Sequence, residues 1–357
     1  MPSPRPQAWQ AFQQAEALAS VTEAPVTLVA DAGRPDGGPA ELADWLGRPL
    51  SNHLELARPS RPSRPPLAGV RFRRNLAKCR SRGAVLLARD PRVVSSEASR
   101  PWQAVLMEWH VRPRRDLRVH RRALVRSSLH LTPSQGIADD LCRSGVDPHR
   151  IVLLPNACGL SRDAARRRVT SASDRQRPVL AMGLHRRSGI DLALSAWRKD
   201  ATLPDLIVAG RDQGSVRFAA WSRAIEDDPR LAGRVHLLGP CWGRRREELL
   251  ERVGLWLTLY PEDDVTRRSL CPLQVVDAVG SGLPVVATDL PSTRFAVGDG
   301  LVTFVAPDDV DSLVEGIHRS LAGPRPSEQQ VVGRPRWEDR AHRLVELVGE
   351  RLEGKLP

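Results

Sequence analysis

Ser269-Leu-Cys-Pro-Leu-Gln-Val-Val-Asp-Ala-Val-Gly-Ser-Gly-Leu-Pro-Val-Val-Ala-Thr-Asp289 carries the clearest fold signal in the chain. The pattern predicts a loop, a short helix starting near Pro272, a turn at Gly280–Gly282 and a buried strand. The apolar run Leu255–Tyr260 just upstream predicts another buried strand. Such strands are typical of parallel sheets covered by helices on both faces, which bind ligands at the carboxyl ends of their strands. The N–H groups of the loop and first helical turn therefore predict a phosphate or pyrophosphate site.

The composition is that of an ordinary globular protein, and 357 residues are enough for two domains. No apolar run approaches the ~20 residues of a membrane helix, and the amino terminus lacks an apolar signal core, so we expect a cytoplasmic protein. The cysteines are scattered and form no CxxC pair, which argues against a disulfide framework and against a metal site. They are Cys79, Cys142, Cys158, Cys241 and Cys271.

The chain is strongly basic, with a net charge of +12. Nearly all of the basic residues are arginine, a skew typical of GC-rich genomes, so basicity alone says little about function. A high positive charge still favours anionic partners such as phosphorylated ligands, acidic lipid surfaces or nucleic acid. The arginine-rich stretches 71–82 and 111–126 contain few aromatic residues, which argues against a nucleic-acid stacking platform.

Strands and helices alternate along the chain, most clearly in its second half. Alternation of this kind predicts an α/β protein with two Rossmann-like, doubly wound domains that face a cleft. The charged segment Ser161–Arg177 has no core pattern and is predicted to be the interdomain linker. We expect a first domain over residues 1–162, completed by a terminal helix over 337–353, and a second domain over 176–332. The strands predicted in the second half are Val179–Met182, Asp205–Ala209, Val235–Leu238, Leu255–Tyr260, Pro284–Thr288 and Leu301–Val305.

Between about residue 104 and residue 345, the chain contains several short motifs whose order and spacing resemble those of one protein family. This family is the nucleotide-sugar glycosyltransferases of glycosyltransferase family 4 (group 1), which have the GT-B fold. The most specific piece is Asp277-Ala278 followed by Gly282-Leu-Pro-Val-Val286. The others are Leu129-His-Leu-Thr-Pro-Ser134, Arg150-Ile-Val-Leu-Leu-Pro-Asn156, Leu180-Ala-Met-Gly183, Ser188-Gly-Ile-Asp191, Asp205-Leu-Ile-Val-Ala-Gly210, Arg234-Val-His-Leu-Leu-Gly239 and Trp337-Glu338.

The resemblance implies an acceptor-binding first domain and a second domain that binds the nucleotide sugar. It implies sugar transfer with retention, without an obligate metal and with no cofactor beyond the nucleotide-sugar co-substrate. Because many relatives act on lipid-linked acceptors, it also implies a lipid-linked or polysaccharide acceptor. Contact of the arginine-rich stretches with an acidic membrane surface, at the inner face of the membrane, would follow.

The first donor-site residues lie in the loop that begins at Gly183. Arg186 or Arg187 is expected to contact the pyrophosphate, because a guanidinium can bind phosphate through two hydrogen bonds. The family usually places its cations where this chain has Leu184 and Ser188. The structural alternative for the two arginines is a solvated turn.

Main-chain contacts to the donor are expected from two further loops. The nucleobase is expected at Gly239 and Cys241, where a plain turn is the alternative. The distal phosphate or the sugar is expected at the backbone of Ser269, Leu270 and Cys271, where the alternative is an ordinary strand-to-helix loop.

Two side chains complete the expected site. Asp277 matches the second acid of the family motif, which holds the donor ribose, whereas Ser269 stands in place of the first acid. His110 ends a strand of the first domain, where relatives often have a histidine that contacts the reacting sugar, and we expect it to be catalytic. A helix-surface carboxylate and a structural histidine are the respective alternatives.

The first domain is expected to lack its first strand. Relatives begin with a strand and a Gly-rich loop, whereas this chain starts with the predicted helix Ala8–Ser20. A missing central strand would leave the neighbouring strand edges unpaired. Two alternatives to an active enzyme therefore stay open: a degenerate glycosyltransferase-like protein that binds a nucleotide or a partner without turnover, and an arginine-driven nucleic-acid binder.

Overall fold

The computed structural model describes residues 6–22, 24–29, 42–43, 46–57, 67–80, 84–97, 99–170, 176–183, 187–210, 216–298 and 302–354. The chain divides into two compact units, Met1–Asn156 with Pro335–Pro357, and Ala157–Arg334. The first boundary between the two units therefore falls after Asn156, which is before the linker that the sequence predicts. Within the described ranges, no helix combines the length and apolar character needed to cross a bilayer.

Both units consist of parallel strands connected by helices. The first unit contains α1 (Pro6–Thr22), β1 (Val26–Val29), β2 (Leu54–Ala57), α2 (Leu67–Arg80), β3 (Leu86–Ala88), α3 (Pro91–Glu97), β4 (Val105–Glu108), α4 (Arg118–Arg126), β5 (Leu129–Thr132), α5 (Gln135–Arg143) and β6 (Ile151–Leu153). The second unit contains α6 (Arg162–Thr170), β7 (Val179–Met182), α7 (Ile190–Lys199), β8 (Leu206–Ala209), α8 (Val216–Glu226), β9 (Val235–Leu238), α9 (Gly243–Leu250), β10 (Leu255–Thr258), α10 (Asp264–Arg268), α11 (Leu273–Val279), β11 (Val285–Thr288), α12 (Pro291–Val297), β12 (Thr303–Val305), α13 (Val310–Ala322) and α14 (Glu328–Val332). The last helix, α15 (Trp337–Leu352), returns to the first unit.

The described strands of the first unit form two separate sheets. One has the order β3-β4-β5-β6, and the other contains only β1 and β2. Both are parallel, with Leu86 opposite Val105 in the larger sheet and Val26 opposite Leu54 in the smaller. Among the strands that the structure describes, β1 and β3 each lie at the edge of a sheet.

The described strands of the second unit form one six-stranded parallel sheet in the order β12-β11-β10-β7-β8-β9. Its two faces carry two hydrophobic cores, because successive side chains of a strand point to opposite faces. In β10, Leu255 and Leu257 belong to the core around Trp197, whereas Trp256 belongs to the core on the other face. This doubly wound sheet confirms the predicted α/β fold class.

The predicted linker Ser161–Arg177 is wrong in one respect, because it contains α6, a packed helix of the second unit. Arg168 of this helix is 1% exposed, forms ion pairs with Glu247 and Glu251, and donates to the Ser281 carbonyl over 2.9 Å. The helix thus buries a charged side chain on paired carboxylates, so its sequence shows no apolar periodicity. The Pro-rich stretch Arg58–Pro66, whose composition predicts a loop or linker, lies outside the described residues, as does most of Ala40–Leu46, whose pattern predicts a helix.

Candidate functional site

The loops predicted to bind the donor lie at the carboxyl edge of the six-stranded sheet. Its strand order reverses between β7 and β10, and open α/β sheets bind ligands outside such a reversal. Gly183 follows β7 with a φ of 95°, a conformation that favours glycine, and its N–H donates to the Ala209 carbonyl over 2.8 Å. Helix α11 begins at the same edge, because it connects β10 to the parallel strand β11.

Arg187 joins two of these loops. Its Nε donates to Oδ2 of Asp263 over 2.9 Å, and both side chains remain about 40% exposed (41% and 36%). Asp263 also caps α10, since its Oδ1 accepts the Thr266 N–H over 2.8 Å. The cap and the arginine together lower the pKa of Asp263. The guanidinium is therefore fixed on the loop after β10, while Arg186 lies outside the described residues.

A concave space of about 720 Å³ lies beside this pair. Its lining comes from the ends of β10, β11 and β12 and includes four acids and two arginines: Glu262, Asp263, Asp264, Arg267, Arg268, Pro291 and Asp308. Within the described ranges, no cluster of His, Cys, Asp and Glu has the arrangement of a metal site. The lining residues offer carboxylate acceptors and guanidinium donors side by side.

Asp277 is buried and paired inside the second unit. Its Oδ2 accepts from Nη1 of Arg246 over 2.9 Å, and its Oδ1 accepts the Gly159 N–H over 2.7 Å. Arg246 also donates to the Gly159 carbonyl. Asp277 thus ties α11 to α9 and to the segment before α6, a structural role that the sequence analysis did not predict.

Asp277→Asn is expected to lower the free energy of unfolding by about 3 kcal/mol, because it leaves the buried Arg246 charge uncompensated. Urea unfolding measures this loss. The matched control is Asp289→Asn, which removes an exposed pair with Arg294 and is expected to stay within about 0.5 kcal/mol. If Asp277 acts only on the donor ribose, its variant will unfold like the wild type and lose nucleotide affinity instead.

The other main-chain positions predicted to contact the donor differ in whether their backbone groups are already hydrogen-bonded. The Ser269 N–H is donated to the Val265 carbonyl over 2.9 Å and ends α10, so it is not available to a phosphate. The expected phosphate contact therefore narrows to the backbone at Leu270 and Cys271. The Gly239 carbonyl accepts the Gly210 N–H over 3.3 Å. The side chain of Cys241 is 7% exposed and packs in the hydrophobic core, and burial raises the pKa of its thiol, whereas the main-chain contact to the nucleobase stays a prediction.

In the first unit, His110 belongs to a buried polar group that we call the β4 cluster: Gln14, Arg89, Glu108, His110 and Arg340. Glu108 is fully buried and accepts from Nε of Arg89 over 2.9 Å and from Nη2 of Arg340 over 2.8 Å. Oε1 of Gln14 accepts from the same two arginines over 2.8 and 2.6 Å. His110 places its Nε2 3.1 Å from Oε1 of Glu108 and is 17% exposed.

The charges and the burial of the β4 cluster determine the protonation states of Glu108 and His110. Burial alone would raise the pKa of Glu108, but Arg89, Arg340 and His110 outweigh it and hold that pKa well below its usual range. Burial lowers the pKa of His110 more than Glu108 raises it. His110 is therefore neutral near pH 7, and the adjacent carboxylate favours the proton on Nε2.

Residues 176–322 match the family described as Glycosyl transferases group 1. The second unit carries a group 1 glycosyltransferase domain. This match covers the described strands β7 to β12 and includes every donor-site position discussed above. No curated protein matches the chain. The group 1 domain thus confirms the resemblance seen in Asp277-Ala278 and Gly282-Leu-Pro-Val-Val286.

Solved structures resemble the whole chain, beyond the group 1 domain. Anabaena HepE in complex with UDP and glucose is 14% identical with a TM-score of 0.70, covering 98% of this chain and 97% of its own. A glycosyltransferase from Rickettsia africae is 12% identical with a TM-score of 0.72, covering 96% and 94%. Sucrose-phosphate synthase from Thermosynechococcus elongatus is 16% identical with a TM-score of 0.68, covering 98% and 94%. The likeness confirms the two-domain GT-B fold class.

Proposed function

We propose that this chain transfers a sugar from a nucleotide-sugar donor, with a uridine diphosphate sugar as the donor class. The observation that carries the proposal is the group 1 domain with Arg187 fixed at the carboxyl edge of its sheet. The similar Anabaena structures contain UDP, UDP with glucose, and UDP-glucose, which supports a uridine donor.

The mixed charges around the concave space suit the two ends of such a donor. A leaving nucleoside diphosphate develops negative charge, which an oriented guanidinium stabilises better than one that must first be ordered. Arg187, held through its Nε by Asp263, is such a group. The carboxylates of Glu262, Asp264 and Asp308 repel phosphate but accept hydrogen bonds from sugar hydroxyls. We propose that the diphosphate binds next to Arg187 and that the sugar binds next to the three carboxylates.

The first unit would supply the acceptor site, with His110 contacting the reacting sugar. A neutral imidazole with its proton on Nε2 offers Nδ1 as a hydrogen-bond acceptor for a hydroxyl. Transfer with retention, without metal, belongs to this proposal and rests on the family resemblance. The exposed arginines of α4, together with the exposed Val125, support an acceptor at an acidic lipid surface.

A degenerate protein that binds nucleotide without turnover is the second candidate. The Ser269 that stands in place of the first acid of the family motif favours it, because loss of turnover would leave donor binding intact. Donor hydrolysis across a panel of nucleotide sugars separates the two candidates: the active enzyme releases nucleoside diphosphate from one of them, whereas the degenerate protein only binds.

Arg187→Ala is expected to weaken UDP binding at least tenfold, because it removes the oriented diphosphate contact. Thermal unfolding with and without UDP, GDP and ADP in a chelator measures this. For the wild type, ligand at ~100 times its dissociation constant adds about 2.7 kcal/mol. The matched control is Arg198→Ala, whose Nε donates to Asp228 over 2.6 Å elsewhere in the same unit. An unchanged UDP shift in Arg187→Ala would refute the phosphate assignment.

A further inference from the structure

His110 lies in a stretch of chain that is hydrogen-bonded at its two ends, Trp109 and Arg114, and that we call the His110 segment. At the first end, the Trp109 N–H donates to the Leu131 carbonyl over 2.8 Å and continues the pairing of β4 with β5. At the other end, the Arg114 N–H donates to Nδ1 of His120 in α4 over 3.0 Å. In the part of the chain that the structure describes, the three N–H groups after Trp109 have no hydrogen-bond partner. The hydrogen bonds of this main chain are thus concentrated at its two ends.

His120 contacts both ends of the His110 segment. Besides accepting the Arg114 N–H, its ring packs edge-on against the Trp109 indole, with the ring centroids 5.5 Å apart and the planes at 60°. Trp109 is fully buried, and its Nε1 donates to Nδ1 of His130 over 3.0 Å, so the indole is fixed in its place. A single side chain of α4 therefore sets where Arg114 lies relative to Trp109.

The bond to Arg114 requires a neutral His120. Nδ1 accepts only when the ring proton is on Nε2, whereas an imidazolium donates from both nitrogens. Burial and the Arg114 guanidinium lower the pKa of His120 more than the carboxylates of Asp116 and Asp90 raise it. Those two carboxylates are themselves paired, with Arg114 and Arg92 respectively. The ring also lies in the first turn of α4, whose positive end disfavours a cation.

We propose that His120 is a positioning residue, which holds the His110 segment and thereby sets the place of the His110 ring. The inference rests on the proposed function, in which His110 contacts the reacting sugar. The contact with Glu108 orients one side of the ring, since Nε2 of His110 lies 3.1 Å from Oε1 of Glu108. His120 fixes the main chain from which that ring extends. Without the bond to Arg114, the segment would loosen, and the His110 ring would separate from Glu108 and become more exposed to water.

Two substitutions separate the acceptor of His120 from its bulk. His120→Asn keeps an acceptor close to the Nδ1 position and does not titrate, whereas His120→Leu keeps a side chain of similar size without an acceptor. At pH 7, hydrogen exchange in residues 110–117 is expected to speed up by about tenfold or more in His120→Leu and to stay as in the wild type in His120→Asn. As the pH falls below about 6.5, the wild type should exchange faster than His120→Asn measured at the same pH, because only the wild type loses its acceptor.

The position of the His110 ring has a readout of its own. The NMR titration of the His110 Cε1 proton, assigned by its loss in His110→Gln, gives the pKa of His110, which burial lowers in the wild type. In His120→Leu this pKa is expected to rise toward its ordinary value, because the ring is less buried. With a donor that the wild type hydrolyses, kcat is expected to fall about tenfold or more in His120→Leu, while the thermal shift with UDP stays unchanged.

Three results would overturn the proposal. His120→Leu could exchange like the wild type, His120→Asn could loosen the His110 segment as much as His120→Leu does, or the segment could loosen while the His110 titration and kcat stay unchanged. If the wild type hydrolyses no donor, the proposed function fails, and the exchange and titration measurements still decide whether His120 positions the ring.

Discussion

Arg340→Ala is expected to lower the free energy of unfolding by about 3–5 kcal/mol, because it breaks a buried ion pair and leaves Glu108 with fewer partners. Both side chains are almost completely buried, with 2% and 0% exposure. Arg340 also donates to Oε1 of Gln14 and to the Pro155 carbonyl, so one truncation removes several contacts of the β4 cluster. Urea unfolding of the purified chain measures the loss.

The same helix provides the matched control. Arg343 lies three residues further along α15, is 51% exposed and pairs with Glu346 and Glu350 at the surface. Arg343→Ala is expected to change stability by no more than about 0.5 kcal/mol. Equal losses in the two variants would mean that the buried pair contributes nothing beyond a surface pair, which would contradict the role assigned to Arg340.

The Arg340 effect has a defined pH dependence. The folded-state pKa of Glu108 lies well below that of an unfolded glutamate, so folding favours the charged form. This contribution is fully present above the unfolded pKa and is lost as the pH falls from that value through the folded pKa. The stability difference between the wild type and Arg340→Ala should therefore shrink in acid. A difference that grows in acid would exclude Glu108 as the partner that matters.

Gly282→Ala is expected to destabilise the second unit by about 3 kcal/mol or more, as a sum of backbone strain and overpacking. Gly282 has a φ of 86°, and a Cβ there would lie 2.6 Å from the Ala165 carbonyl oxygen of α6. A backbone atom cannot move aside as a flexible side chain can. Urea unfolding again gives the measurement.

Gly233→Ala separates strain from crowding. Gly233 has a similar φ of 75°, but a Cβ there would meet nothing within 4 Å. The free energy of unfolding of this variant is therefore expected to fall by about 1 kcal/mol, which is the cost of the left-handed backbone alone. If the free energy of unfolding falls equally in the two alanine variants, the close approach of α6 to the Gly280–Gly282 turn does not contribute to the effect of Gly282→Ala.

The second unit was predictable because its core residues are contiguous in sequence. Runs such as Leu255–Tyr260 are apolar over their whole length, and only buried strands or helices contain such runs. The observed strand ends two residues earlier, at Thr258, because the last residues already belong to the loop. The family motif around Asp277 likewise marked α11 and β11 without any knowledge of their partners.

Buried ion pairs between residues far apart in the chain could not be predicted from the sequence. Arg168 with Glu247, Asp277 with Arg246, and Glu108 with Arg340 each join positions far apart in the chain. Nothing in the local pattern distinguishes a buried paired charge from a solvated one. The predicted linker was therefore a helix, and Asp277, expected to contact the donor, proved to be paired inside its own unit.

The return of α15 to the first unit has a consequence for the order of folding during synthesis. Domains usually fold as they leave the ribosome, amino-terminal first. Here α15 is translated after the whole second unit, yet it packs onto α1, and its Arg340 neutralises Glu108. The ribosome must finish the whole second unit before the first can close its polar interior, so the unit that is begun first of the two is completed second.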